Sequence, residues 1–143
     1  MSVLRFVVAL AAVVVLLVPL NSCGNDAPSS PTLLNSATYS LTYSLTIRRS
    51  KSTVSVLTYR DQSGIITVRN PDRRWSIQLS VPSGTTIGMT AQGICDHGSI
   101  EIDMSATSTS STVHDSYSDS ASHANLTGVA PCPLSLDDHV LGS

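Results

Sequence analysis

Positive charge is missing from the second half of this chain: no Lys or Arg follows Arg74. The eight basic residues are Arg5, Arg48, Arg49, Lys51, Arg60, Arg69, Arg73 and Arg74, so lysine occurs once. Aromatics are also scarce, with one Trp, one Phe and four Tyr. Basic residues without interleaved aromatics give no footprint for nucleic acid, and a nucleic-acid partner is set aside on that ground. Beyond residue 36, no stretch of apolar residues recurs at helical spacing for long enough to form a helix. There is no internal repeat at a solenoid or propeller period. Cysteine is sparse too, at three residues, Cys23, Cys95 and Cys132.

The first of these cysteines closes a distinctive N-terminus. Arg5 is followed by a nearly unbroken hydrocarbon run over residues 6–20, ending in Val18-Pro19-Leu20-Asn21-Ser22-Cys23-Gly24. A membrane-spanning helix needs about 20 apolar residues. This run is shorter, carries Pro19, and suits the apolar core of an export signal. A small residue before the cysteine and Leu20 three positions ahead resemble the lipobox of bacterial lipoproteins. That resemblance implies cleavage before Cys23 and attachment of lipid, palmitate among it, to the Cys23 sulfur. It also implies residence on the cell membrane or outer membrane, facing the periplasm or exterior, with membrane lipid as the first partner. A plain signal peptide and a retained anchor are the alternatives, and all three export the remainder.

After the leader come a tether and then a domain. Residues 24–36 hold Pro28 and Pro31 among Ser, Asn and Asp, the composition of a flexible linker. The expected organisation is therefore a signal peptide over 1–22, a lipidated cysteine and tether over 23–36, a β-sandwich over 37–133 and a disordered tail over 134–143. Roughly 120 residues remain after the leader, enough for one ordinary domain.

Period-two alternation is clearest over residues 39–47. Tyr39, Leu41, Tyr43, Leu45 and Ile47 fall on one face, with Ser and Thr between them, as in a half-buried strand. A second strand is expected over 53–60, with Val54 and Val56 on one side and Leu57 and Tyr59 toward the other. A third covers 65–69 after the turn at Asp61-Gln62-Ser63-Gly64. Asn70-Pro71-Asp72 and Pro82-Ser83-Gly84 bracket a fourth, in which Trp75, Ile77, Leu79 and Val81 alternate with polar residues. Separate short strands are expected from Thr85 to Ala91, where Gly88 marks a weak point or a bulge, and around Ile100, Ile102 and Met104. The Ser/Thr/Asp-rich tract 105–122 reads as part edge strand, near Val113 to Tyr117, and part mobile loop. A last strand is expected over 126–132. The fold class is all-β: an Ig-like β-sandwich of six to eight short strands, preceded by a hydrophobic signal helix.

Two cysteines remain once Cys23 is set aside. In an oxidising compartment such a pair in a small domain forms a disulfide, here Cys95 with Cys132. The closed loop would hold about 38 residues, for which chain entropy gives roughly 3–4 kcal/mol. The competing reading is a metal-dependent or hydrolytic site centred on Cys95, Asp96 and His97, with His114, His123 and His139 as further ligands. No spacing here matches a zinc pattern, and a Cys–His dyad requires a free thiolate. No catalytic, cofactor or metal residue is assigned on this basis. Glu101 and Asp103 lie on one strand face, about 7 Å apart by pleat geometry. They read as solvated carboxylates rather than an opposed catalytic pair.

The separated charges admit three readings: ion pairing between the two halves of the fold, a dipolar surface that steers a partner, or solvated loops and edges. The run 54–60, then Trp75-Ser76, Val81-Pro82-Ser83-Gly84-Thr85 and Met89-Thr90-Ala91-Gln92, is similar to the MmpS family. Those are small exported, membrane-anchored proteins with an Ig-like β-sandwich that accompany RND-type exporters of lipids and siderophores. The similarity covers residues 53–98. Arg74 stands where the family has proline, and the Val-Asp-Gly hairpin of the family is replaced by Met104-Ser105-Ala106. The resemblance implies a non-catalytic binding or accessory role beside an envelope protein or transporter. A purely structural envelope lipoprotein is the alternative.

Overall fold

The structure is a computed structural model and describes residues 37–49 and 51–142. The expected signal helix, Cys23 and the tether lie outside the described residues.

Among the described residues there are six antiparallel strands: β1 (Thr38–Arg48), β2 (Thr53–Asp61), β3 (Gly64–Arg69), β4 (Arg74–Pro82), β5 (Thr86–Ser108) and β6 (Ser116–Val140). The architecture is all-β, as expected, but two strands are long. β5 joins the two segments expected as separate strands, and β6 joins the expected edge strand, the expected last strand and the tail. The tail over 134–143 is corrected by this: Ser135 pairs with Thr90, Leu136 with Met89 and Val140 with Thr86. Leu134, Leu136 and Leu141 are buried, and that burial holds the segment in the sheet. The tract 105–122 is likewise mostly strand, leaving only residues 109–115 as a connection.

β5 organises the sheet. One of its edges is covered by β6 along nearly its whole length. The other edge is shared, with β2 pairing residues 89–94 and β1 pairing residues 99–108. β3 extends β2 and β4 extends β1. The switch between the two halves falls at a register shift between Asp96 and Gly98, where His97 takes a left-handed φ of 51°. Bulges bend and twist a strand, and here the bend lets the sheet curl so that its inner faces meet. Tyr43 of β1 lies 5.2 Å from Tyr59 of β2, and Tyr59 lies 5.5 Å from Trp75 of β4, ring centre to ring centre. At the opposite side, Tyr117 and His139, from near the two ends of β6, stack 3.8 Å apart.

Alternation decides the core. Tyr39, Leu41, Tyr43, Leu45 and Ile47 are all buried, as the period of two requires. In β2 the expected sidedness is corrected: Val54, Leu57 and Tyr59 are buried together, while Val56 is only half-buried. The cause is a bulge between Val54 and Val56, which inserts one residue and shifts the alternation by one. Ile87, Met89, Ala91, Ile100, Ile102, Met104 and Ala106 complete the core from β5.

Candidate functional site

The two thiol groups of the domain are joined. Cys95 and Cys132 form a disulfide between β5 and β6, with both residues fully buried. Asp96 and His97, next in sequence, occupy the bend. His97 Nδ1 lies 2.6 Å from Asp96 Oδ1, and the Asp96 N–H donates to Ser52 Oγ at 3.0 Å. The bond to Cys132 removes the thiolate on which a Cys95–His97 nucleophile would depend. His139 is stacked on Tyr117, and His114 and His123 sit elsewhere on the connection and on β6. Among the described residues, no three His, Cys, Asp or Glu side chains converge.

The carboxylates of β5 have local partners. Glu101 meets Arg48 at 3.4 Å, and Asp103 accepts a hydrogen bond from the Ser44 hydroxyl at 3.0 Å. Arg60 meets Asp138 at 3.1 Å. Arg48–Glu101 and Arg60–Asp138 both join the basic half of the sequence to the acidic half.

The Tyr43 hydroxyl carried no sequence signal. It lies inside the curled sheet, donates to the Arg60 carbonyl at 2.5 Å and accepts the Gly88 N–H at 3.2 Å. Burial pushes its pKa up to about 12. Gly88 sits at the register shift between Ile87 and Met89, and a side chain there would strike the Asp138 carboxylate. Near this point an open groove of about 340 Å³ runs past Arg60, Ile65, Thr90, Leu136 and Asp138. Thr58 and Thr90 share a hydroxyl hydrogen bond of 2.6 Å on its floor.

The long outer edge of β6 is the second surface of interest. Among the described residues β6 pairs only with β5, so its other side is an open row of backbone groups. The Ser108 N–H donates to the Asp115 carbonyl at 2.8 Å across the connection from β5 to β6. Alternate residues of an antiparallel ladder turn their backbone groups to opposite edges. Counting from that bond, Ser116, Ser118, Ser120, Ser122 and Ala124 turn theirs outward. Further along, Pro131 and Pro133 pair with Ile94 and Gln92. A proline is tolerated in such a strand where its nitrogen faces the open edge, so both block that edge.

Side chains around the first half of β6 are short. Ser76, Ser44, Asp103 and Ser120 lie in one cross-strand row, and Gln78, Thr42, Ser105 and Ser118 in the next. A groove of about 400 Å³ crosses this region, lined by Asp103, Ser105, Ser118, Asp119 and Ser120. The edge was hard to see in the sequence because serine has little strand signature of its own. The one usable sign was Tyr117, Asp119 and Ala121 alternating with serine. Compared with known proteins, the chain matches no family model, no curated protein and no solved structure.

Proposed function

We propose that this chain is a non-catalytic, exported lipoprotein whose β-domain is a binding or accessory module of a bacterial envelope. The observation that carries the reading is the Cys95–Cys132 bond. Disulfides persist in oxidising compartments, and this one uses two of the three cysteines. The third, Cys23, is left for lipid attachment after an apolar leader. Attachment through two or more acyl chains is firm, whereas one chain binds only reversibly. The motifs shared with the MmpS family over residues 53–98 favour a role beside an RND-type exporter of lipids or siderophores. The open surfaces of the module, its strand edges and grooves, suit contact with another protein better than chemistry on a substrate.

The test is mass analysis of the protein purified from its native membrane, together with identification of the proteins that accompany it. The expected result is a chain beginning at Cys23, diacylated or triacylated, with Cys95 and Cys132 blocked to thiol reagents. Cys23→Ser should release the domain from the membrane fraction. A full-length chain in the cytosol, unacylated and with reduced thiols, would refute the proposal.

A further inference from the structure

We infer that the outer edge of β6 over residues 116–124 is a strand-addition site for an extended segment of a partner polypeptide carrying Arg or Lys. The inference rests on the accessory-module reading and names the partner chemistry of that module.

Three observations converge on this half of β6. The first is its open backbone. The outward groups belong to Ser116, Ser118, Ser120, Ser122 and Ala124, whose side chains are too small to fence the edge. Ser120 satisfies its N–H locally, donating to the Asp119 carboxylate at 2.8 Å. Second, the usual devices against edge pairing are absent here and present elsewhere. Exposed edges are blunted by proline and by charge, above all lysine. The far half of β6 has Pro131, Pro133, Asp137 and Asp138; β3 ends in Arg69; β4 begins at Arg74 and ends at Pro82. Residues 116–124 contain neither proline nor a basic residue, and Asp119 is their only acidic one.

The third is charge, which selects the occupant. Asp103 and Asp119 both line the groove beside this edge. Among the described residues neither forms an ion pair: Asp103 is bonded to the Ser44 hydroxyl, and Asp119 to the Tyr117 hydroxyl and the Ser120 N–H. Arg48 and Arg60 are engaged with Glu101 and Asp138. An incoming strand with a basic side chain opposite Ser118 or Ser120 would lie on the face that Asp103 shares with Ser44 and Ser120 and would reach that carboxylate while its backbone completes the ladder; Asp119, paired with Met104, adds its charge from the other face. Recognition by strand addition takes affinity from the backbone and specificity from alternate side chains. A second copy of β6 fits less well, because antiparallel pairing about Ser120 sets Asp119 of both copies close across one seam without a cation. Like charges set close across strands are destabilising.

The experiment uses the full-length, oxidised chain in detergent and two probes. One is an end-blocked nine-residue peptide of alternating Thr and Arg. The other is the same peptide N-methylated at alternate backbone nitrogens, which keeps the charge and loses the ladder donors. Titration calorimetry should give saturable binding of the first at one per chain, and binding at least tenfold weaker for the second. Ser118→Pro removes one outward N–H, as Pro131 and Pro133 do naturally, and should weaken the first peptide at least tenfold. Asp103→Asn should weaken it severalfold. If Ser118→Pro lowers the thermal midpoint or frees the thiols, the N-methylated comparison decides alone.

Equal binding of both peptides, no saturable binding, or full affinity in a folded Ser118→Pro variant each overturns the site. So does a dimer of the full chain that Ser118→Pro dissolves, since the edge would then serve a second copy. An envelope partner that still accompanies Ser118→Pro would overturn the edge and leave the accessory role standing. A reduced, unacylated chain that still binds the peptide would overturn the role and leave the edge.

Discussion

Tyr43 ties the two halves of the sheet together through one oxygen. Its alternation with Leu41 and Leu45 marked the ring as buried, and it is. Its hydroxyl partners were not legible, because Arg60 and Gly88 stand 17 and 45 residues away and only the curl of the sheet brings them near. Tyr43→Phe keeps the ring and strands the Gly88 N–H and the Arg60 carbonyl. Leaving a buried polar group unpaired costs about 1–3 kcal/mol, and urea denaturation should register a loss of that size. The other tyrosines are shifted in the same direction. The hydrogen bond to Asp115 raises the pKa of Tyr39, and burial raises those of Tyr59 and Tyr117. An unfolded phenol titrates near 10.0, whereas Tyr43 holds its proton to about 12. A raised folded-state pKa contributes stability that is complete below the unfolded value and lost as pH climbs through the folded one. The thermal midpoint should therefore show no tyrosine-linked loss below pH 10 and fall between 10 and 12. Tyr43→Phe should make that fall shallower; an unchanged slope would exclude Tyr43 as its source.

At the scale of elements, the readable strands were those with large side chains. β1 and β4 alternate Tyr, Leu, Ile or Trp with Ser, Thr or Gln, and β4 is bracketed by turns that carry Pro71 and Pro82-Ser83-Gly84. β6 was read in pieces because its first half alternates serine with small or polar residues, so burial there comes from pairing with β5 rather than from side-chain bulk. The segment Leu134-Ser135-Leu136 did carry a period of two, too short to outweigh its terminal position. The continuity of β5 was hidden because residues 92–99, with glycine at 93 and 98, carry no clear period of two between Ala91 and Ile100. Gly98 instead permits the bend: a Cβ there would strike the Arg48 carbonyl and come within 2.7 Å of Ser52 Oγ. Gly98→Val should cost about 1–3 kcal/mol by overpacking. The Cys95–Cys132 bond lies a few residues from this bend and closes 37 positions of chain. Replacing both cysteines with serine should lower stability by roughly 3–4 kcal/mol on the chain-entropy account. Denaturant midpoints of the two variants would rank the effects, and a neutral Gly98→Val would mean that the bend does not depend on the glycine.

Across the whole molecule, the division of charge along the sequence becomes, among the described residues, two cross-links, Arg48–Glu101 and Arg60–Asp138, with an acidic surplus around β6. The division was plain in the sequence, but not which charges would meet. Both ion pairs are solvent-exposed on at least one side. Such pairs contribute about 0–1 kcal/mol, so the asymmetry is not explained by folding stability. A double-mutant cycle with Arg60→Gln and Asp138→Asn should accordingly return a coupling below about 1 kcal/mol. Salt separates stability from attraction to a partner. Between about 0.1 M and about 1 M the Debye length falls from about 10 Å to about 3 Å. The ion-pair contribution to the denaturation midpoint should therefore change little, because there is little to screen. Affinity for the alternating Thr/Arg peptide should fall over the same range, because attraction to Asp103 beside an open edge is screened directly. A coupling of several kcal/mol would instead make the separated charges a device of folding, and peptide affinity indifferent to salt would remove the electrostatic basis for choosing a basic partner.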